Sequence, residues 1–555
     1  MAKGNGNKKP APGLMAVAPK AVVHLRAQHH RKRLGLIFGS GAGKDLGFPD
    51  WSELVERIAA DPDVDAGELM ERIKVSEVSD KGQISKSLAS LTHMLFSHFR
   101  DSRINAAGFS GSIGLLEEQR IKSDWLKIIH KQLYKDIDYR RRRRLIDSHP
   151  YLTAFRGIIK QSPLTVNYNF DDTVEQMLMH ARTSEELLKT KGYEVTDRPN
   201  AQFQKDNSVV YHPNGFLPAI FEDGSSTEVV FSDDAFQDQL INAATGKYLH
   251  LSNHLFRNTC ILIGLSLEDT TLQSLLRQSA VTNPGHIHYI VHFLPKGAKF
   301  DEKTRRTIFR ANFSSYNLYT LFLDAPGIKN LAEFILMDED TFKLNNSESC
   351  RKFVYYLVGS IGAGKSTAAG NFRNLITYDE WVDERLPELA VPEKEVKSAA
   401  VEGIDKWVAE QFKKKNMSLD KHQEGIHIID RCPLDPLTFG PPENRKAKAS
   451  SLIESMTCGS NYSIQQGHVI YLDCDVSELR IRNSFKHKYW DDDAVKALMN
   501  SLDEVYGAVD KSVVSTLGRS AADVAKEIAR IIYLDDYTPV DIGGELLKFA
   551  EAPTS

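Results

Sequence analysis

Short apolar runs that end in small or polar turns, each followed by a stretch of helical periodicity, recur along the chain. Residues 34–38 (Leu-Gly-Leu-Ile-Phe) run straight into Gly39-Ser40-Gly41-Ala42-Gly43. An apolar strand emptying into a glycine-rich turn is how a parallel α/β sheet opens a nucleotide site, since small residues let backbone approach a phosphate. Helical periodicity follows over 51–60 and 84–100, with Asp and Ser near the starts as capping residues. Further strands are predicted at 164–168, 260–265, 287–293 and 318–323, with helical or loop sequence between them. Strands spaced in this way imply a parallel, doubly wound sheet.

The stretch 338–349 is polar and aperiodic, and the pattern then restarts with an apolar strand at 353–358. Later runs at 426–429 and 469–472 predict more parallel strands, separated by long helical segments such as 394–415. At 555 residues the chain exceeds what one core supports, and about two to four domains are expected. The sequence therefore divides into a flexible basic tail (1–28), an α/β domain with a parallel Rossmann-type sheet and a helical insertion (29–345), and a second α/β domain (346–555).

Composition changes this picture little. With 41% hydrophobic and 26% charged residues the chain is an ordinary globular one, and a net charge of -4 indicates no nucleic-acid partner. No apolar run approaches the roughly 20 residues that span a bilayer, and the start lacks a secretory h-region, so no membrane partner is expected. Cys260, Cys350, Cys432, Cys458 and Cys474 lie far apart without a C-x-x-C pair, which argues for reduced thiols in a cytoplasmic protein and against zinc. Five consecutive arginines at 140–144 fit a solvated or oligomer-facing helix surface, or an anion contact; no role is assigned to them.

The firmest chemical signal is G-S-I-G-A-G-K-S at 359–366, placed between a strand and a helix as a P-loop requires. Gly359, Gly362 and Gly364 free the backbone to wrap phosphates, Lys365 reaches between the β and γ groups, and Ser366, followed by Thr367, holds Mg²⁺. Asp430 and Arg431 close the next strand, where a carboxylate can hold the water shell of the Mg²⁺ and an arginine can grip phosphate. With the 471–475 strand and Arg480 and Arg482 beyond it, these residues resemble small nucleoside and nucleotide kinases. The resemblance implies ATP or another nucleotide with Mg²⁺. Asp379-Glu380 reads either as the acid that activates an acceptor hydroxyl or as a solvated pair, so the domain either phosphorylates or only senses.

The first turn, 39–44, is neither standard phosphate fingerprint. Phe38 occupies the first Walker glycine, Asp45 replaces its Ser/Thr, and Lys44 stands where the third glycine of G-x-G-x-x-G belongs. Gly41-Ala42-Gly43, the turn Gly47-Phe48-Pro49-Asp50-Trp51, the run T-V-N-Y-N-F-D at 165–171, Y-H-P-N-G at 211–215 and G-L-S-L-E-D at 264–269 instead resemble, in order, the segments of the sirtuin-like superfamily. Departures accompany the match. Lys44 or Asp45 replaces a loop serine, Asn169 follows Asn167-Tyr168 where Asp is usual, and His212 precedes Asn214-Gly215 by two residues.

The resemblance implies NAD⁺ as substrate, held by Gly41, Ala42, Gly43, Asp50, Gly264, Ser266 and Asp269. Cleaving the nicotinamide bond passes through an oxocarbenium-like state and releases a neutral leaving group. Asn167 suits orientation of ribose and water, and His212 suits acceptance of the proton. A sirtuin deacylase needs a zinc module of two C-x-x-C pairs, and this half holds only Cys260. The helical stretch 65–150 resembles the insertion of bacterial NAD-hydrolysing members. The resemblance thus implies an NAD⁺ hydrolase in anti-phage abortive infection, governed by the kinase-like domain, active as a homo-oligomer and triggered by a phage-derived nucleotide or protein. The alternative is a nucleoside or nucleotide kinase regulated through an NAD- or ADP-ribose-binding half.

Overall fold

A computed structural model describes residues 13–70, 88–108, 114–180, 193–198, 208–221, 224–231, 241, 248–267, 269–295, 301–390, 398–459, 461–485 and 492–552. It is mixed α/β and falls into two compact units. One comprises 28–280 and 287–337, and the other 1–27, 281–286 and 338–555.

The first unit is built on β1 (Leu34–Phe38), β2 (Thr165–Asn167), β3 (Tyr193–Thr196), β4 (Ser208–Tyr211), β5 (Thr259–Ile263), β6 (His288–Phe293) and β7 (Leu318–Leu323). They form one sheet in the order β3-β4-β2-β1-β5-β6-β7, and every pairing is parallel. All residues of β1, β2, β4 and β5 are buried, as helices on both faces of a parallel sheet demand. Each apolar side chain so enclosed contributes about 1.5–3 kcal/mol. The chain leaves β1 towards β2 on one side and reaches β5 on the other, so β1 and β5 flank a reversal of strand order. In open sheets of this kind ligands enter beyond the carboxyl ends of such strands.

The second unit is built on β8 (Lys352–Gly359), β9 (Ile376–Tyr378), β10 (Gly425–Asp430), β11 (His468–Asp473) and β12 (Lys511–Ser515). Their order is β12-β11-β8-β10-β9, again wholly parallel. β8 is central and almost entirely buried, and its last residue, Gly359, lies beside Leu472. A Cβ at Gly359 would sit 2.5 Å from the Leu472 carbonyl oxygen, so only glycine lets β8 leave the sheet here.

The expected tail needs correction. Its residues 1–12 lie outside the described residues, but Pro19–His30 is a helix with Ala21, Val22, Val23 and Leu25 fully buried. Arg26 is buried as well, 3.8 Å above the Phe342 ring and 3.1 Å from Glu424. Alternating basic and apolar residues gave this helix a weak amphipathic signal. It groups with the five-stranded unit, into which the expected boundary at 346 also moves back to 338. The predicted helix over 84–100 is described from Leu88 onward, residues 71–87 lying outside the described set.

Candidate functional site

The glycine-rich turn after β1 closes by backbone contact. Gly39 N donates to Ile263 O and Gly41 N to Gly264 O, both at 2.9 Å. Gly264 has φ +71°, and a Cβ on it would meet Ala42 N at 2.2 Å. No other residue fits there, which explains a glycine at the end of β5 as well as those after β1. Ser40 and Gly41 are exposed on this turn, and Ala42 and Gly43 are buried behind it.

The strand β2 ends beside that turn, and its two asparagines part ways. Asn167 is fully buried; its Oδ1 accepts from Asn169 N at 3.1 Å, and its Nδ2 has no partner among the described residues. Asn169 is half-buried and donates from Nδ2 to Gly39 O at 3.1 Å. The amide that reaches the glycine turn is therefore Asn169, with Asn167 one layer behind it. The expectation centred on Asn167; N-Y-N offers two asparagines, and the strand's last residue is not marked in the sequence. The signal was the departure at Asn169 itself. Tyr168 and Tyr211 also bury hydroxyls without a partner among the described residues, and orphaned buried polar groups mark places where water or a ligand is needed.

His212 follows β4 and is completely buried. Its Nδ1 donates to the Asn169 carbonyl oxygen at 2.8 Å, and its Nε2 lies 2.9 Å from Oε1 of Glu175, a residue the sequence reading passed over. Burial pushes the Glu175 carboxyl up. For His212 burial acts downward, but the Glu175 carboxylate and the Asn169 carbonyl outweigh it and raise the imidazole above its ordinary value. Both ring nitrogens are thus engaged, so His212 offers no free nitrogen to a substrate proton in this state.

The remaining expected residues divide. Gly41, Ala42, Gly43 and Gly264 come together at the turn. Asp50 caps the helix Trp51–Ala59 through Glu53 N and faces Lys44 at 3.6 Å, an exposed pair. Asp269 caps Thr270–Thr282 through Leu272 N at 2.7 Å, and burial raises its carboxyl; Ser266 is exposed on the same turn. Of the arginine run, Arg142 is buried 2.6 Å from Asp172 and 3.9 Å from Asp171, while Arg141, Arg143 and Arg144 are exposed. Among the described members of the run, Arg142 is thus the one turned inward, and Arg141, Arg143 and Arg144 form a solvated surface.

In the second unit Gly359, Gly362 and Gly364 have φ +141°, +89° and +101°, which turns successive N–H groups inward. Lys365 begins the helix Lys365–Gly370, buried, with Nζ on Gly359 O at 2.7 Å and Ser360 O at 3.0 Å. Burial lowers it to about 8. Ser366 and Thr367 are exposed in the first turn of that helix. Asp430 is buried at the end of β10, with Oδ1 unpartnered among the described residues. Arg431 has φ +78°, a strained setting for a non-glycine residue, and bonds Glu380 Oε1 through Nε at 2.8 Å and a terminal nitrogen at 2.6 Å. Both members of the 379–380 pair are engaged, Glu380 by Arg431 and Asp379 by Arg373 at 2.5 Å. Arg482 does not point into open space: it donates to Thr516 O at 2.7 Å, pairs with Glu478 and reaches Ala363 O at 3.5 Å, while exposed Arg480 pairs with Asp492. Residues 486–491 beyond it lie outside the described set. Among the described residues no group of three or more His, Cys, Asp or Glu is arranged for a metal, and no helix is long and apolar enough to cross a membrane.

Comparison with known proteins follows this division. Residues 163–321, which run from β2 to β7, match the SIR2-like domain family. No curated protein matches the chain. Among solved structures, deoxyadenosine kinase from M. mycoides with bound dATP matches at 16% identity over 31% of this chain and 95% of that one, with a TM-score of 0.25. The same enzyme with dCMP and dCDP matches at 17% identity over 32% and 96%, with a TM-score of 0.24. The chain thus carries a seven-stranded parallel α/β unit, part of which is similar to the SIR2-like domain, and a second, five-stranded parallel α/β unit.

Proposed function

We propose that the seven-stranded unit hydrolyses NAD⁺ to nicotinamide and ADP-ribose and that the P-loop unit senses a nucleotide and governs it. The observation that carries the reading is the Asn169 amide set on the carbonyl of Gly39, at the ends of β1 and β2, with His212 behind it. A dinucleotide would lie along the turn of Gly41, Ala42 and Gly43, whose tight backbone suits a pyrophosphate. The C1′–N bond to nicotinamide breaks and its electron pair leaves with the ring nitrogen. Water adds to C1′ and gives its proton to bulk solvent. Asn169 orients ribose hydroxyl and water, and Asn167 fixes Asn169 through its backbone N–H. The SIR2-like match over 163–321 supports an NAD-related chemistry.

In the second unit Lys365, Gly362 and Gly364 would hold ATP or another nucleotide, Ser366 would supply Mg²⁺ with a hydroxyl, and the orphaned Asp430 Oδ1 would take the cation's water shell. The same proposal places the protein in the cytoplasm as a homo-oligomeric anti-phage effector that responds to a phage-derived nucleotide or protein. A second reading, kinase activity with the SIR2-like half as regulator, draws on the Glu380–Arg431 pair, which sets a carboxylate next to a phosphate-binding cation.

Incubating the full chain with NAD⁺ and Mg²⁺-ATP, with and without deoxynucleotides, separates them. Nicotinamide and ADP-ribose are expected to accumulate, and Asn169→Ala to cut nicotinamide release about 100-fold while NAD⁺ still binds. ADP formation without nicotinamide would favour the kinase reading.

A further inference from the structure

The buried carboxylate of Glu175 has no place in the hydrolysis just described, yet it is aimed at the one imidazole behind the site. We propose that Glu175 is a positioning residue: with His212 it shares a single proton that latches the Asn169 backbone, and losing that proton releases the strand-end amide from the glycine turn. The proposal rests on the hydrolase reading for its kinetic consequence, although the latch itself does not.

Hydrogen-bond bookkeeping fixes the proton count. The Asn169 carbonyl can only accept, so Nδ1 must carry hydrogen for the 2.8 Å bond to exist. Nε2 and Glu175 Oε1, 2.9 Å apart, then need one more proton between them, on either atom. If the pair loses it, a neutral imidazole facing a carboxylate has one hydrogen for two acceptors. The carboxylate is the stronger acceptor and takes it through Nε2. Nδ1 is left bare against the Asn169 carbonyl, two lone pairs facing each other, and the contact opens.

What that contact holds is the site itself. Asn169 is tied down at three points: its carbonyl by His212, its N–H by Asn167 and its side chain to Gly39. Releasing the first frees the 169–170 peptide, and the Asn169 Cα that carries the other two anchors loses its restraint on that side. Glu175 sits in the first turn of the helix Thr173–His180 with its side chain buried against His212. The charged groups around the pair are Asp171 and Asp172, just before that helix, which share the single Arg142 guanidinium at 3.9 and 2.6 Å, with the Tyr134 hydroxyl on Asp172.

Glutamine at 175 tests the count, because its amide donates to Nε2 while Nδ1 keeps its hydrogen; both bonds then survive without the extra proton. For the full chain, kcat for nicotinamide release in wild type is expected to fall on the alkaline side. In Glu175→Gln that limb disappears, with kcat at pH 7 within about threefold of wild type. Glu175→Ala, which leaves Nε2 without a partner, is expected to lower kcat about tenfold with KM little changed. Hydrogen exchange of the peptide covering 165–175, corrected for intrinsic rates, gives a readout independent of catalysis. Protection should drop at alkaline pH in wild type and stay constant in Glu175→Gln. An identical alkaline limb in both proteins, or identical exchange, overturns the latch. Absence of NAD⁺ cleavage in wild type with the exchange difference intact would instead overturn the hydrolase reading alone.

Discussion

The two glycine turns of this chain solve different problems. The turn after β1 contains no buried cation. Lys44 is exposed and paired with Asp50, and the buried Arg142 guanidinium pairs with Asp171 and Asp172. What shapes the turn is backbone against backbone, Gly41 on Gly264. The loop after β8 instead carries a buried lysine folded onto its own carbonyls, together with Arg431 and Lys415, whose Nζ bonds Glu380 O at 2.8 Å and Asp430 O at 2.9 Å. A site shaped by close approach suits a ligand whose charge is spread and whose reacting atom must be placed. A site lined with cations suits concentrated phosphate charge.

Three substitutions sharpen that contrast. Gly264→Ala should be the most damaging, because its Cβ would overlap a backbone nitrogen that cannot move aside and the residue needs a positive φ. A loss on the order of 3 kcal/mol is expected, read by denaturant unfolding, with NAD⁺ binding falling in step. Lys365→Ala should leave folding nearly intact but weaken Mg²⁺-ATP binding about 10- to 100-fold in calorimetry. Its wild-type counterpart carries a pH signature. The free lysine loses its proton near 8, and bound phosphate restores it, so affinity should be steady below that value and fall as pH rises through it. Lys44→Ala should do least, shifting stability by less than about 0.5 kcal/mol and NAD⁺ affinity by less than about threefold, since an exposed pair contributes little. A large effect of Lys44→Ala would erase the distinction between the two turns.

Much of the scaffold was legible in the sequence. The strands at 34–38 and 318–323 lie where the apolar runs predict, and those at 260–265, 287–293, 353–358, 426–429 and 469–472 agree to within a residue or two. Continuous burial on both faces writes itself as a continuous apolar run. The strands that escaped, β3, β4, β9 and β12, have three to five residues each, and three of them, β3, β9 and β12, are sheet edges. There one face stays polar and no run develops, as in Lys-Ser-Val-Val-Ser of β12. Gly41, Gly264, Asn167 and His212, which the structure brings close to one another through Asn169, were each remarked in the sequence. Glu175 was not, because a lone glutamate in a helix looks solvated until tertiary packing encloses it. Asn169 was noticed only as a misfit, since which of two neighbouring amides faces outward depends on where β2 stops.

The helix Pro19–His30 has a practical consequence for anyone dissecting this molecule. The polypeptide passes from one unit to the other after Ala27, Ala280, His286 and Met337, so the segment that looks most expendable supplies Arg26 to the group around Phe342 and Glu424. A fragment started at Asp338, where that unit resumes, would leave the phenylalanine ring uncovered and the glutamate without its guanidinium. Its poor behaviour in the tube would then report a missing amino-terminal helix rather than any dependence of the P-loop half on its neighbour's chemistry.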